Sequence, residues 1–476
     1  MSNLSELLPA GAGAKSADFV ASGTLGSGVT VALKADGTVS VVAETSGTAT
    51  LASSSVFESA TTYGSAASYS PTLDRFVIIY SDNGNGNYPT CQAGYVNSSG
   101  VFTFGTPVVI ESQGSVTNTQ CCEFHPPSGK FILIWSTSPS TRGVVATVSG
   151  TSISLGAPLT FLGSPCSAYS VDTTYSTSAE RVFYVGNISG NLYGARITVS
   201  GTNTFQATGA GIVVASDGYG TVCYDSDTDQ CIVGYRISSS SFGVVPVAVT
   251  PSSTTVGTAA TASSGSAAYH AISYDTSAQK ALISFVDFTN SDTRAAVVSI
   301  SGTTSSLGTL TQLTTDNIEY GSCIYLPTEK VNVIIGRNED TVDKSLSVMS
   351  VTINGTTPST TGPEEISANT RDGGVTYDST NGYILGFYRG PSDYGTAYSF
   401  TPTYSLTNNT DFIGITDQAI ADTATGAVIV QGGVSEKAIG LTTGSDYYVQ
   451  SDGTISTTVS SVPAGRALSS TSILLE

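Results

Sequence analysis

Along most of the chain an aromatic residue, a short polar stretch and an unbroken apolar run follow one another, as in "YSPTLDRFVIIY" from Tyr69. The phrase recurs as "FHPPSGKFILIW" at Phe124, "YSTSAERVFYVG" at Tyr175, "YDSDTDQCIVGY" at Tyr224 and "YDTSAQKALISF" at Tyr274. Two further copies, "YLPTEKVNVII" at Tyr325 and "YDSTNGYILGF" at Tyr377, read as one residue shorter in the turn. Successive aromatic anchors stand 49 to 55 residues apart, a period that marks seven units of one repeat.

Within a unit the Asp, Ser, Thr, Pro and Gly cluster after the anchor predicts a tight turn, and the apolar run predicts a strand covered on both faces. An alternating strand such as "RAAVVSISG" and a fourth such as "SSLGTLTQLTT" complete the unit. Four antiparallel strands per unit predict an all-β fold, a seven-bladed β-propeller of four-stranded blades over residues 47–408. A β-sandwich would use similar strands but offers no reason for this sevenfold period. The seventh unit lacks a fourth strand after "GTAYSFTPTYS", while "GTATLASSSVFESATTYGS" before the first anchor parallels "GTLTQLTTDNIEYGS" before the sixth. Residues 47–57 are therefore expected to close the seventh blade.

Outside the repeats, residues 19–46 read as two strands about an Asp36-Gly37 hairpin turn, and residues 409–476 as short strands with a second such turn at Asp452-Gly453. Neither segment buries a core well alone, so the two are expected to form one small discontinuous β-domain. Residues 1–18 are expected to be an arm, with "SNLSELLP" making one helical turn capped by Ser2 or Ser5.

The terminal stretches "VASGTLGSGVTVALKADGTVSVV", "FIGITDQAIADTATGAVIVQGG", "GLTTGSDYYVQSDGTIST" and "AGRALSSTSILL" resemble terminal modules of virion structural proteins from tailed bacteriophages, marine ones especially. They also look like the small β-domains of head-decoration proteins. The resemblance covers the two ends and not the repeats. It implies a tail fibre, spike or similar appendage, made in the host cytoplasm and displayed outside the cell on the particle. It further implies other virion proteins as partners through the arm and small β-domain, and assembly as a homo-oligomer. No catalytic residue is carried over from it.

Charge and composition narrow the function. With 36 acidic against 17 basic residues the net charge is −19, which disfavours nucleic acid as a partner. No apolar stretch approaches the roughly 20 residues that span a bilayer, so no membrane insertion is expected, and "MSNLSELLPAGAGAKSADF" lacks the layout of a secretory signal. Seven cysteines is an odd number, and Cys122, Cys223 and Cys323 each fall just before an anchor. That placement suits small buried side chains better than a disulfide framework.

Chemistry is sparse. His125 and His270 are the only histidines, so an H-E-x-x-H zinc helix is excluded and a Ser-His-Asp triad has two possible bases. Gly129-Lys130 is followed by Phe131 and is no phosphate-binding loop. Asp225, Asp227 and Asp229 mimic the start of a calcium loop, but its Gly and distal Glu are missing. The Asp-containing turns that mark sialidase-type propellers are absent, although a pair of catalytic carboxylates cannot be read from spacing. The expectation is a protein without catalysis, cofactor or metal.

Binding is better supported. Tyr63, Tyr169, Tyr219, Tyr269 and Tyr320 lie five or six residues before their anchors, at the start of the innermost strand and near one channel mouth. There a tyrosine either stacks on a sugar face or wedges between blades. The variable loops between second and third strands should open on the same side and contribute Tyr88, Tyr394, Arg142, Arg294 and Arg337. Host surface polysaccharide is the expected ligand. An architectural head-decoration or tail-connecting role and a polysaccharide-degrading enzyme are the alternatives.

Overall fold

The computed structural model describes residues 15–34, 36–42, 44–46, 49–112, 119–201, 203–215, 218–263, 265–401, 405–407, 409–450 and 453–476. Among them are many β-strands, a few single-turn 3-10 helices and no α-helix. The chain divides into two compact units, residues 1–46 with 405–476, and residues 47–404. Among the described residues no helix is long and apolar enough to cross a membrane.

The larger unit is built of antiparallel sheets that follow the repeat. Their first strands are the C-terminal part of Thr50–Ser70, then Gln120–His125, Val171–Ser176, Gly220–Asp225, Ala267–Asp275, Ile318–Leu326 and Gly373–Asp378; the sheets are numbered one to seven in this order. Sheet five shows the pattern: Ala267–Asp275, Lys280–Asp287, Asp292–Ser301 and Thr304–Leu307 pair in chain order, and Thr311–Thr314 pairs with the other end of the third strand.

Each anchor pairs with the residue seven positions on: Tyr69 with Phe76, Phe124 with Phe131, Tyr274 with Ala281, Tyr325 with Asn332, Tyr377 with Ile384. The turns of sheets six and seven are thus as long as the others, and it is the flanking apolar run that differs. The last turn residue is left-handed in every hairpin, at Asp74, Gly129, Glu180, Asp229, Gln279, Lys330 and Gly382. That conformation reverses the chain within four residues and matches the twist of the flanking strands.

The apolar run is explained by what lies on its two sides. In sheet two, Phe131, Leu133 and Trp135 pack with Val77 and Ile79 of sheet one, while the alternate residues Ile132 and Ile134 pack with Val182 and Tyr184 of sheet three. Alternate side chains of a strand face opposite ways, so a strand between two neighbours must be apolar at every position. Each such side chain, buried fully, contributes roughly 1.5–3 kcal/mol. The same relation links each sheet to the next, and Leu385 and Phe387 of sheet seven pack with Phe76, Ile78 and Tyr80 of sheet one.

Sheet seven takes its fourth strand from the start of the unit. Thr50, Leu51 and Ser53–Val56 pair with Thr396–Thr401, and the same continuous strand then turns into sheet one, where Thr62–Ser70 pairs with Arg75–Asp82. First strands contact first strands from sheet to sheet, including the seventh with the first.

In the smaller unit, Ser16–Val20, Thr425–Val430, Phe412–Thr416, Thr30–Leu33 and Val39–Val41 form one sheet, and five short strands from Val434 to Leu475 form another. The chain ends share a core: Ala32 and Val42 pack with Ile415, Ile429, Val449 and Ile473. Gly37 is left-handed and Leu33 pairs with Val39, which makes the Asp36-Gly37 hairpin. Ser16–Asp18, read from sequence as the end of an arm, are already strand because Ser16 pairs with Ile429. Residues 1–14 of the arm, with Ser2 and Ser5, and Asp452 of the second turn lie outside the described residues. All seven cysteines are free thiols, buried except for the partly covered Cys323.

Candidate functional site

The expected tyrosines start from an unusual backbone. Tyr169, Tyr219, Tyr269 and Tyr320 all have φ between 45° and 57°. A left-handed conformation costs a residue with a Cβ roughly 1–2 kcal/mol, and such strain often accompanies function. In sheets five and six the cause is a register shift, between Ala268 and Ala271 and between Glu319 and Ser322, which leaves the tyrosine unpaired at the strand entrance. A bulge of this kind redirects a side chain away from the pleat. Sheet one has the same shift after Tyr63, but there Gly64 takes the left-handed position.

The four redirected rings meet. Centroid separations are 4.6 Å for Tyr269–Tyr320, 5.1 Å for Tyr169–Tyr320, 5.4 Å for Tyr219–Tyr269 and 6.0 Å for Tyr169–Tyr269. Phe288, which follows the second strand of sheet five, lies 6.0 Å from Tyr269 and is 40% exposed. All four tyrosines are half-buried. Burial pushes the hydroxyls of Tyr169, Tyr219 and Tyr269 above the usual phenol range, so they act as neutral donors. Tyr63 stands apart from this ring cluster under the Arg389 guanidinium, 4.9 Å from its ring, and Arg236 lies 4.8 Å over Tyr219.

The three expected arginines are not loop residues. Arg142 and Arg294 belong to third strands and Arg337 to a second strand. Each is held by acid: Arg142 by Glu111, Arg294 by Asp292 at 2.8 Å and Asp287 at 3.4 Å, Arg337 by Glu339 at 2.9 Å. Tyr88 and Tyr394 begin third strands of sheets one and seven, and Tyr394 is 40% exposed. Among the described residues neither makes a ring contact with the four-tyrosine cluster.

Beneath the tyrosines is a cavity of about 410 Å³, lined by residues of the first strand of every sheet, including Tyr169, Tyr269 and Tyr320. Three acids in its wall, Glu123, Asp172 and Asp372, escaped the sequence reading. Burial, with Asp172 next, pushes Glu123 up to about 8, and burial pushes Asp172 up to about 6 against hydrogen bonds from the Val222 and Thr173 amides and the Thr221 hydroxyl. Both touch the cavity yet are surrounded by protein, and that enclosure is what disfavours the charged form. A carboxylate placed within a first strand, ahead of the aromatic anchor, was the signal for Glu123 and Asp172.

The remaining candidates are accounted for locally. Asp225 accepts the amides of Asp227 and Thr228 and the Thr228 hydroxyl, Asp227 accepts the Tyr274 hydroxyl, and Asp229 accepts the Tyr224 hydroxyl. The calcium-like run is therefore a turn whose carboxylates have protein donors. Among the described residues no group of three or more His, Cys, Asp or Glu is placed to hold a metal. His125 Nδ1 lies 2.9 Å from the Ser128 hydroxyl, but its Nε2 faces Thr198 rather than a carboxylate. Burial, with Arg236 next, takes His270 down to about 3, so it is neutral.

No protein-family model and no curated protein sequence matches this chain. Among solved structures, NanB sialidase from Streptococcus pneumoniae is similar at 11% identity and a TM-score of 0.42, over 75% of this chain and 71% of that one. AofleA from Arthrobotrys oligospora is similar at 10% identity and a TM-score of 0.41, over 72% and 96%. Aleuria aurantia lectin is similar at 12% identity and a TM-score of 0.40, over 63% and 95%.

Proposed function

We propose that residues 47–404 form a seven-bladed β-propeller that binds host surface polysaccharide at the tyrosine mouth of its central cavity. In this reading the protein is a virion component of a tailed phage, a tail fibre, spike or similar appendage without catalytic activity. The observation that carries the binding part is the convergence of Tyr169, Tyr219, Tyr269 and Tyr320 in a strained backbone conformation, half-exposed at one mouth. Aromatic faces stack on sugar rings and phenol hydroxyls donate to sugar oxygens, and the neighbouring Phe288 extends the apolar surface. The resemblance of the terminal sequences supports the virion part. Many copies on one particle would convert weak single contacts into firm attachment.

The test has two arms. Purified full-length protein is applied to immobilised host polysaccharide and to a glycan array, and labelled antibody against it is imaged on intact particles. Saturable glycan binding that Tyr269→Ala weakens at least tenfold supports the reading. Absence of binding to any glycan removes it, and absence of label from particles removes the virion part alone.

A second reading has its own observation. Because the rings contact one another at 4.6–6.0 Å, they also fill the mouth as a plug that packs four sheets together. In that architectural role Tyr269→Ala would lower stability and leave glycan binding as it was.

A further inference from the structure

The charges around the tyrosine mouth decide which sugars fit there. Arg294, Arg337 and Arg389 are little exposed, and each faces a carboxylate that is itself largely buried: Asp292, Glu339 and Asp372, with Arg389 to Asp372 at 2.7 Å. Lys344 shares Glu339. A buried ion pair is costly to break, because the partner left behind loses its compensation. An anionic sugar would have to take one of these cations from its acid, so they are poor receptors for it.

The acids are in surplus. Glu58 and Asp82 lie on the rim where sheets seven and one meet, beside Tyr88 and Tyr394: Asp82 pairs with Tyr88 in register, and Glu58 with Gly395, the residue after Tyr394. Among the described residues neither carboxylate has a cationic partner within ion-pair distance. Glu319, next to Tyr320, has Glu339 as its strongest charged influence, opposed by Arg337 and Lys344. Burial first, and then Glu58 for Asp82 and Glu339 for Glu319, hold both carboxyls above the usual carboxylate range, against that opposing pull on Glu319. With Arg236 over the Tyr219 ring set against these acids, the balance is still negative, and such a mouth attracts positive charge and repels negative.

Resting on the glycan-binding reading, we infer that the mouth selects saccharides without acidic groups, and prefers a sugar that carries a protonated amine over uronic-acid or sulfated chains. Glu58, Asp82 and Glu319 supply the attraction, and Asp292, Glu339 and Asp372 keep Arg294, Arg337 and Arg389 from serving acidic sugars.

The experiment uses three oligosaccharides of equal length with the full-length protein at low ionic strength: glucosamine units with free amines, the same chain N-acetylated, and an oligouronate. The amine-bearing chain should bind at least about tenfold more tightly than the oligouronate, with the neutral chain between them, and the spread should shrink as salt is added. Glu339→Gln, which releases Arg337 and Lys344, should move the preference toward the oligouronate. Asp292→Asn, which loosens Arg294, should act in the same direction and serves if the first variant does not fold. Oligouronate bound as tightly as or more tightly than the amine-bearing chain overturns the inference while leaving glycan binding intact. Binding of none of the three overturns both together.

Discussion

Left-handed residues set the local geometry, one at the end of the first turn of each sheet and one at the entrance of the first strand in sheets one and three to six. The turn position tolerates many side chains: Asp74, Glu180, Asp229, Gln279 and Lys330 occupy it with φ near 50° to 56°, and Gly129 and Gly382 do so without a Cβ. Relief of strain therefore predicts that Lys330→Gly stabilises the protein by up to about 1 kcal/mol, offset in part by the greater freedom of glycine in the unfolded chain. A urea midpoint that rises at unchanged slope is the expected outcome, and a lower midpoint contradicts it. At the entrance the chain keeps tyrosine in four sheets where glycine would be unstrained, which points to a use for the rings. The anchors and the entrance tyrosines were legible because they recur at one offset. The left-handed backbone that turns Tyr169, Tyr219, Tyr269 and Tyr320 toward one another was not, because nothing in the residue type tyrosine announces a positive φ.

At the scale of the strand and hairpin, the anchor explains why one phrase is repeated. The Tyr69 hydroxyl donates to Asp74 at 2.9 Å in its own turn and accepts from the Thr380 hydroxyl at 2.6 Å in the turn of sheet seven. Tyr224 receives the Thr177 hydroxyl at 3.0 Å from the turn of sheet three, and Tyr274 donates to Asp227 in the turn of sheet four. Each of these anchors fastens its hairpin to the preceding one. Tyr69→Phe and Thr380→Val should therefore each lower stability by about 1 kcal/mol and show coupling in a double-mutant cycle; additive losses would remove the contact's role. Glu123 belongs to this scale too. Its carboxyl titrates near 8 in the fold against an ordinary value of 4.5, so its contribution is present below about pH 4.5 and is lost as pH rises through 8. Relative to Glu123→Gln, the native protein should lose stability across that window, and a pH-independent difference would contradict the assignment. Sequence pattern showed the strands but not which acids the first strands enclose, because enclosure depends on sheets far apart in the chain.

In the larger unit as a whole, stability depends on contacts between segments remote in sequence. The apolar runs predicted strands covered on both faces, and the structure places a neighbouring sheet on each. Residues 50–56 pair with 396–401 some 340 positions away, as in Ser54 with Tyr398 and Ser55 with Ala397. Successive residues of an antiparallel strand donate to the partner alternately, so one of Ser54→Pro and Ser55→Pro must remove a bond of this ladder. That variant should lose about 3 kcal/mol and unfold at lower temperature; two variants of native stability would show that the seam is dispensable. The three arginines were expected from loop composition, yet strand pairing draws Arg142, Arg294 and Arg337 into the sheets and onto acids, a result of three-dimensional charge pairing that spacing does not encode.

The account turns on the mouth formed by four tyrosines, and calorimetric titration of host oligosaccharide into native protein and into Tyr269→Ala and Tyr69→Phe tests it most directly. The prediction is that Tyr269→Ala weakens binding at least tenfold while Tyr69→Phe, which lowers stability away from the mouth, binds as the native protein does. Equal affinities for the native protein and Tyr269→Ala, with both folded, would contradict it.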